Sequence, residues 1–301
     1  MTTAPKVSVL IPAYNHEQYV EETLRSIAAQ DYPNIEIVIV DDCSMDATAD
    51  VIERFIKQSP VEVTFRRHKT NKGVGGTLNT ALGLATGDYI ALFASDDLFL
   101  PARLSRQVSF METHPQVEIL YGNGWAEKPD GTRRPVHRER VRELLTSSPA
   151  NVLRYLYTNK SPFFLQTALI RSDLLARIGG YDENLLADDW LMNTKIFASL
   201  DDKTQFAYVD EPVVVYRIHD KNVHQDFLRQ SNLKLQFVET LAPPHLRREA
   251  LRNIHRDIAA TAARRGLKRQ ACQHAWQSFA AGGRMKDFRL MLKIVFKATL
   301  K

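Results

Sequence analysis

Apolar runs of strand length alternate with helical stripes through the first hundred residues. The runs at residues 7–11, 35–40 and 61–65 are each followed by a segment that repeats apolar residues every three or four positions. This alternation of strand and helix predicts an α/β fold with a mostly parallel, doubly wound sheet.

The apolar run at residues 89–93 ends at Ser95-Asp96-Asp97. Ligands of open α/β sheets sit at the carboxyl ends of the strands, so this stretch predicts a binding site. Two adjacent carboxylates repel each other unless a cation lies between them, which favours a divalent ion that carries phosphate oxygens. The alternative is that one acid caps the helix that begins near Pro101.

Two further acid pairs follow the same logic. Asp41-Asp42 closes the strand at residues 35–40, and Asp188-Asp189 opens a helix. Acids in a first helical turn also complement the helix dipole, so capping is an alternative explanation of the second pair.

Two loops at the predicted ligand edge have distinct chemistry. In the loop at residues 12–16, Asn15 with Gln18 three residues later predicts a capping box at the next helix. The glycine-rich loop at residues 71–76 follows the third strand, whereas a dinucleotide fingerprint would follow the first. We therefore interpret its glycines as permitting close backbone approach.

The later chain is less regular. Periodicity breaks down over residues 123–148, where a basic run at residues 133–140 indicates either a solvated face or a loop that binds acceptor or phosphate. Strands are predicted at residues 163–170 and 213–218, and the second delivers Arg217 and His219.

Composition bounds the function. The 301 residues are 44% hydrophobic and 25% charged, as in ordinary globular proteins, and no apolar run reaches membrane-spanning length. With no secretory pattern at residues 1–6, and with Cys43 and Cys272 far apart, we expect a cytoplasmic protein without a zinc site.

The positive charge is concentrated at the end of the chain. Residues 261–301 carry a net charge of +9, while the whole chain carries +5, so the remaining residues sum to −4. This distribution argues against a nucleic-acid-binding face on the rest of the chain. A basic stripe at Arg289, Lys293, Lys297 and Lys301 opposes an apolar one, which predicts an amphipathic helix. Such a helix either lies at a membrane interface or docks on the rest of the chain with its lysines in water.

Five strings carry a family resemblance: VSVLIPAYNH, IEIVIVDDCSMDAT, NKGVGGTLNTALGLATGDYIALFASDD, IGGYDENLLADDW and YRIHDKN. In this order and spacing they resemble family 2 glycosyltransferases of the GT-A fold over about residues 5–220. The resemblance implies a catalytic domain at residues 1–225 and leaves 226–301 as a helical, basic extension.

The resemblance also implies roles for residues at the nucleotide. Pro12, Ala13 and Tyr14 would pack against the base, Asp42 would accept the base imide N–H, and Asp41 would support the turn.

Ser95-Asp96-Asp97 resembles the D-x-D element that carries Mn²⁺ or Mg²⁺. Its first position is serine, so the expected metal ligand is Asp97, and Asp96 serves the ribose or the donor sugar. His219 matches a histidine that holds the metal or the diphosphate; the alternative is an ordinary surface imidazole.

Asp188-Asp189 resembles an E-D motif whose second member is the catalytic base. Asp189 would take the proton of the attacking acceptor hydroxyl, with Asp188 and Trp190 near the acceptor. Trp190 is equally compatible with helix packing.

Departures from the family pattern concern the diphosphate and the acceptor. Leu78 stands where an arginine is common, so Lys72, beside Gly73, or Arg217 would meet the diphosphate. Leu191 and Lys195 replace a further acid and an arginine. Both departures affect donor and acceptor identity more than the type of reaction.

The sequence thus predicts a metal-dependent, inverting glycosyltransferase that uses a nucleoside diphosphate sugar, with UDP the expected nucleotide. Its acceptor would be a surface polysaccharide or a lipid-linked glycan, reached at the inner face of the membrane. The alternatives are a non-catalytic sugar-nucleotide-binding or scaffold subunit and a sugar nucleotidyltransferase.

Overall fold

The computed structural model describes residues 4–182, 188–219 and 227–282. The chain divides into two compact units. The first unit comprises Met1–Pro149 with Pro162–Asp220, and the second comprises Ala150–Ser161 with Lys221–Lys301.

One nine-stranded sheet lies in the first unit. Its strands are β1 (Val7–Ala13), β2 (Ile35–Asp41), β3 (Glu62–Arg67), β4 (Tyr89–Leu92), β5 (Leu98–Phe99), β6 (Ile119–Glu127), β7 (Arg133–Pro135), β8 (Ala168–Arg171) and β9 (Phe206–Arg217). Their order in the sheet is β3-β2-β1-β4-β8-β6-β9-β5, with β7 paired to β6. The first four strands in this order run parallel to one another, and β8 pairs antiparallel to β4.

Amphipathic helices accompany the sheet. The helices of the first unit are α1 (Val20–Ala28), α2 (Thr48–Ile56), α3 (Gly73–Leu82), α4 (Arg103–Thr113), α5 (Glu139–Leu145), α7 (Ser172–Arg177) and α8 (Asp188–Ser199). Their apolar stripes are buried, as Val20, Leu24 and Ile27 of α1 show. The prediction of an α/β, mostly parallel, doubly wound sheet with flanking helices is confirmed.

Strand β1 is central in the part of the sheet that carries the predicted site. It pairs with β2 so that Ala13 faces Asp41, and with β4 so that Leu10 faces Leu92. The loops after all three strands therefore leave the sheet at one edge.

Strand β6 continues through the region where periodicity fails. Gly122 and Gly124 lie against β9, and a Cβ atom at these positions would come within 2.8 Å of a methyl of Val213 and 2.6 Å of a methyl of Val214. Only glycine allows this approach, so the strand contains residues of low strand propensity. The strand predicted at 163–170 is shorter, because Leu165–Thr167 form a 3-10 turn before β8.

The capping box predicted at Asn15 is wrong. Helix α1 starts at Val20, and its N-cap residue Tyr19 makes no side-chain capping bond within the described structure. Asn15 adopts a left-handed conformation (φ 54°), and its side-chain oxygen accepts from the backbone N–H of Met45 (2.9 Å). A tertiary contact has replaced the local cap.

The second unit is helical, with α6 (Pro149–Thr158), α9 (Phe227–Leu241), α10 (Pro244–Arg264) and α11 (Lys268–Ala280). Ion pairs between Arg154 and Glu249 (2.6 Å) and between Lys234 and Asp257 (2.6 Å) join its helices. The basic stripe predicted from Arg289 onward lies outside the described residues. Among the helices of residues 4–182, 188–219 and 227–282, none is long and apolar enough to cross a membrane.

Candidate active site

The loop between β1 and α1 connects the two acidic loops on either side of it. Asn15 donates its backbone N–H to Ser44 Oγ (3.0 Å) in the loop after β2. The next residue, His16, places Nδ1 2.8 Å from Ser95 Oγ in the loop after β4. The acids that follow β2 and β4 are thereby parts of one connected edge.

Asp96 faces two imidazoles. His219 Nε2 lies 3.0 Å from Asp96 Oδ2, and His16 Nε2 lies 3.7 Å from the same oxygen. One ligand atom from each of the three residues lies within 4.8 Å of the others. Two imidazole nitrogens and a carboxylate oxygen are a donor set that fits a divalent transition ion.

The rings of this cluster are held from the side. Tyr19 stacks on His219 with 4.4 Å between centroids and 19° between planes, and His16 meets His219 edge-on at 5.9 Å. The backbone N–H of His16 donates to Thr48 Oγ1 (2.8 Å). The donor atoms are thus positioned by packing as well as by their mutual contacts.

Asp97 faces the protein interior and is 1% exposed. Its Oδ1 accepts from the backbone N–H of Arg217 (2.8 Å) and its Oδ2 accepts from Gln166 Nε2 (2.8 Å). Burial, and then the charge of Asp96, raise the pKa of Asp97 well above its usual range. For Asp96, burial opposes ionisation, but the hydrogen bond from His219 and the nearby His16 hold its pKa below the usual value.

This arrangement differs from the one the sequence suggests. The sequence assigns the metal to Asp97 and the sugar to Asp96, whereas the structure groups Asp96 with the imidazoles. The partners of Asp97 are N–H groups, which cannot bind a cation, whereas those of Asp96 are imidazole nitrogens, which can.

Gln166 clamps the loop that carries these acids. While Nε2 donates to Asp97, Oε1 accepts from the backbone N–H of Ala94 (2.9 Å). A single side chain in the 3-10 turn therefore fixes both the start and the end of the Ser95–Asp97 segment.

The turn that carries Gln166 is itself held by buried groups of α4. Gln107 Nε2 donates to the carbonyl of Thr167 (2.9 Å), and Arg103 Nη2 donates to that of Ala168 (3.1 Å). Arg103 lies over the ring of Phe99 at 4.0 Å, and complete burial lowers its pKa to about 9.

Arg217 is directed onto α1. Its guanidinium forms an ion pair with Glu22, donates to the backbone carbonyl of Asp96 and lies 5.1 Å from the ring centroid of Tyr19. The sequence suggests that Lys72 or Arg217 meets a diphosphate. In the structure, Arg217 ties the loop after β4 to α1.

Asp42 holds the glycine-rich loop. Its carboxylate accepts from the backbone N–H groups of Lys72 (2.8 Å) and Gly73 (2.8 Å), and His68 Nδ1 lies 2.9 Å from it. Gly73 has φ 75°, a conformation that glycine adopts without strain. The side chain of Lys72 is exposed.

Asp41 supports the turn beside it. Its Oδ2 accepts from the backbone N–H of Ser44 (3.0 Å) and lies 3.3 Å from Arg67 Nε. Its Oδ1 is buried and has no hydrogen-bond partner within the described part of the chain.

The residues predicted to pack on a base lie at the end of β1. Pro12 and Ala13 are strand residues, and the carbonyl of Ala13 accepts from the backbone N–H of Asp42 (2.8 Å). Tyr14 is 45% exposed, which leaves its ring accessible to a ligand.

Asp189 lies in the first turn of α8 and is partly exposed. Its backbone carbonyl accepts from Asn193 Nδ2 (2.6 Å), and Asn193 Oδ1 accepts from Tyr121 Oη (2.5 Å). Burial, and then the charge of Asp189, raise the pKa of Tyr121 well above its usual range. Trp190 is 5% exposed, which is typical of packing. Asp188 starts the helix, and its side chain lies outside the described structure.

The structure joins most of the predicted residues in two neighbouring groups. One group contains Ser95, Asp96, Asp97, Arg217 and His219, and the other contains Asp41, Asp42, Lys72 and Gly73. Sequence reasoning gave no role to His16 or Gln166. His16 was detectable as a polar residue in the loop after the first strand, whereas Gln166 lies in no motif.

Comparison with known proteins is consistent with this geometry. The profile of glycosyl transferase family 2 matches residues 8–179. The chain is 38% identical over 120 residues to the putative glycosyltransferase EpsE of Bacillus subtilis (strain 168), which is 40% of this chain and 43% of that one. It is 41% identical over 122 residues to the UDP-Glc:alpha-D-GlcNAc-diphosphoundecaprenol beta-1,3-glucosyltransferase WfaP of Escherichia coli, which is 40% of this chain and 47% of that one. The chain thus spans less than half the length of these relatives.

Solved structures show the same fold. The S. aureus TarS 1-349 complex with UDP-GlcNAc superposes with a TM-score of 0.61 at 20% identity, over 96% of this chain and 90% of that one. The mannosyltransferase PcManGT from Pyrobaculum calidifontis, in complex with GDP-Man and Mn²⁺, superposes with a TM-score of 0.63 at 25% identity, over 99% and 81%. The GT-A-type fold expected from the sequence is confirmed.

Proposed function

Because the chain belongs to glycosyl transferase family 2, we propose that it transfers a sugar from a nucleoside diphosphate to a hydroxyl group of a surface polysaccharide or a lipid-linked glycan. The observation that carries the proposal is the connection of the acids after β2 and β4 through the β1–α1 loop. That connection supports the proposal because it holds the acids assigned to a base and to a diphosphate-bound cation at one edge of the sheet. We assign this chemistry to the predicted domain at residues 1–225.

We assign uridine as the base. The relatives support this choice, since TarS is bound to UDP-GlcNAc and the name of WfaP specifies UDP-Glc. Asp42 accepts three hydrogen bonds from His68, Lys72 and Gly73, and a carboxylate has about four acceptor positions. One position thus stays available for the imide N–H, with the ring of Tyr14 as a wall.

We assign a divalent cation, Mn²⁺ or Mg²⁺, to Asp96 and the two imidazoles. Such an ion would act as a Lewis acid toward the charge that develops on the departing diphosphate. Mn²⁺ accompanies GDP-Man in PcManGT. Asp97, Gln166 and Arg217 hold the loop in the position that presents Asp96.

We assign the catalytic base to Asp189. In an inverting transfer, this carboxylate takes the proton of the acceptor hydroxyl as its oxygen attacks the anomeric carbon from the face opposite the leaving group. Base catalysis of this kind accelerates reactions by about 10²–10⁴-fold. The hydrogen bonds from Tyr121 through Asn193 fix the helical turn that carries Asp189.

Nucleotide binding is tested first, by thermal shift with UDP, UDP-GlcNAc, UDP-Glc and GDP-Man, each with and without MnCl₂. A ligand at 100 times its dissociation constant stabilises the fold by about 2.7 kcal/mol, so a donor raises the melting temperature measurably. We expect the uridine ligands with Mn²⁺ to give the largest rise. If GDP-Man raised the melting temperature and none of the uridine ligands did, the assignment of uridine would be contradicted.

Turnover is tested by release of UDP from these donors with Asp189→Asn. We expect the variant to keep the thermal shift with UDP-sugar and Mn²⁺ and to lose about 10²–10⁴-fold in turnover. Full turnover in Asp189→Asn would exclude Asp189 as the base. If the protein were a sugar-nucleotide-binding subunit without activity, the wild type itself would show the thermal shift but no turnover.

A further inference from the structure

Ser95 stands at the first position of the acidic loop, where it supplies no carboxylate. We propose that His16 supplies the missing ligand from the neighbouring loop, and that the resulting site of His16, Asp96 and His219 selects Mn²⁺ over Mg²⁺. This inference rests on the proposed function, since it specifies the cation of that same site.

The hydrogen bond between His16 and Ser95 determines which nitrogen of His16 faces the site. Nδ1 lies 2.8 Å from Ser95 Oγ, and Nε2 is the atom directed at Asp96. In the tautomer in which Nδ1 donates to that hydroxyl, Nε2 carries the lone pair that binds a cation. Metal-bound histidines regularly donate their second ring nitrogen to a protein oxygen, which fixes the tautomer and the ring orientation. Ser95 therefore acts on the site through His16.

The backbone delivers His16 to this position by contacts outside the site. Asn15 is held in a left-handed conformation by its bonds to the β2–α2 loop, and His16 N–H donates to Thr48 Oγ1 (2.8 Å). These contacts set the imidazole before any ligand arrives. A ligand that is positioned in advance costs less conformational entropy on binding.

The two imidazoles differ from Asp97 in burial, and all three donors differ from it in their partners. His16 and His219 are partly exposed, whereas Asp97 is 1% exposed and accepts from Arg217 N–H and Gln166. The partners of Asp97 are N–H groups, which cannot act as ligands of a cation. A cation at Asp96 lies between groups that offer ring nitrogens.

The donor set predicts the selectivity. Mn²⁺, although the weakest binder among the divalent first-row transition ions, accepts imidazole nitrogen more readily than Mg²⁺, which prefers oxygen ligands and releases its water reluctantly. A site with two nitrogens and one carboxylate oxygen therefore binds Mn²⁺ more tightly than Mg²⁺. Removing one imidazole should lower the affinity of the site for Mn²⁺ and leave its affinity for Mg²⁺ almost unchanged.

The test measures metal binding to the full chain without nucleotide. Isothermal titration with MnCl₂ and MgCl₂ would compare the wild type, His16→Ala and the control His245→Ala, which changes an exposed histidine of α10. We expect at least about tenfold weaker Mn²⁺ binding in His16→Ala, as even outer-shell partners of metal ligands contribute about 10–100-fold. The control should bind like the wild type.

Pulsed electron paramagnetic resonance of bound Mn²⁺ gives a second readout. The ¹⁴N modulation of imidazole should be present in the wild type, weaker in His16→Ala and weaker still when His219→Ala is added. If His16→Ala lowers the melting temperature without metal, His16→Gln, which keeps a polar side chain, replaces it in both measurements.

Equal Mn²⁺ affinity in the wild type and both His16 variants would overturn the inference, as would equal affinity of the wild type for Mn²⁺ and Mg²⁺. Neither result touches the proposed function, which depends on UDP binding and on turnover lost in Asp189→Asn. Conversely, a wild type that binds Mn²⁺ through His16 without binding any nucleotide would keep the metal site and reject the transferase.

Discussion

Asp41-Asp42 and Asp96-Asp97 each follow a buried strand of the same parallel sheet, yet their carboxylates meet different partners. Asp42 accepts from the backbone N–H groups of Lys72 and Gly73, which belong to the protein whatever is bound. Asp96 instead faces the imidazoles of His16 and His219, groups that can also bind a cation. Asp42 thus has a structural task whether or not a ligand is bound, whereas Asp96 lies between two partly exposed imidazoles that can share a cation with it.

Within the second pair the same distinction separates adjacent residues. Asp97 accepts from Arg217 N–H and from Gln166, so it resembles Asp42, while Asp96 points toward the site. Pairing one inward and one outward acid keeps a loop rigid at the place where it presents a ligand.

The comparison predicts its largest effect for Asp42→Ala. Two backbone N–H groups and His68 lose their buried acceptor, and we expect the free energy of unfolding to fall by about 3–5 kcal/mol. Urea denaturation measures this, with Asp31→Ala in an exposed turn as the control. A loss below about 1 kcal/mol would show that Asp42 does not hold the loop.

The pH dependence of stability tests whether the buried imidazole of His137 holds the fold. Nδ1 of His137 donates to the carbonyl of Gly122 (2.8 Å) and its Nε2 accepts from the backbone N–H of Phe164 (2.8 Å). Burial lowers the pKa of His137 to about 4, against the opposing charge of Asp210.

Because an unfolded histidine titrates near pH 6.5, the contribution of His137 is complete above that pH. It is lost progressively as the pH falls from about 6.5 to about 4, by about 3 kcal/mol in all. His255 in the second unit has a pKa lowered to about 4 by burial and contributes a loss of the same sign. The difference in unfolding free energy between wild type and His137→Asn isolates His137. A difference that stays constant from pH 7 to 4 would contradict the assignment.

A smaller effect is expected for Gln166. Gln166→Ala leaves the N–H of Ala94 and one oxygen of Asp97 without their partner, which should cost about 2 kcal/mol in unfolding free energy. Gln166→Glu keeps an acceptor for Ala94 but places a carboxylate beside Asp97, so it should be at least as destabilising. An unchanged free energy of unfolding in Gln166→Glu would show that the contact between Gln166 and Asp97 does not contribute to stability.

The smallest effect on stability is expected for Asp96→Asn. It removes a charge that Asp97 repels, and the amide oxygen of asparagine can still accept a hydrogen bond from His219, so the unfolding free energy without metal should change by no more than about 1 kcal/mol. The rise in melting temperature with MnCl₂ should disappear. The same assay on Asp97→Asn decides which of the two acids binds the metal. If the metal bound at Asp97, the rise in melting temperature with MnCl₂ would disappear in Asp97→Asn and persist in Asp96→Asn.

Much of the fold could be predicted because its signals are local. Strands β1, β2 and β4 are buried on both faces and therefore appear as continuous apolar runs. Strand β6 could not be predicted in full, because Gly122 and Gly124 fit the side chains of Val213 and Val214, about ninety residues away.

The candidate site was predictable where short motifs carry it and not where distant contacts do. The acid pairs and His219 stand out in the sequence, but which acid turns inward depends on Gln166 and on the backbone of Arg217. Asn15 shows the same limit, since its side chain bonds to Met45 rather than capping the helix next to it.

The position of the β1–α1 loop has a consequence for how the chain can vary. Residues 14–18 act as a bracket between two neighbouring loops, through Asn15 on one side and His16 on the other. Inserting even one residue into this loop would break its contacts with the loops after β2 and β4, while the sheet beneath would stay intact. The exposed turn at residues 128–132, with Gly131 in open space, has no such task and is the natural place for insertions.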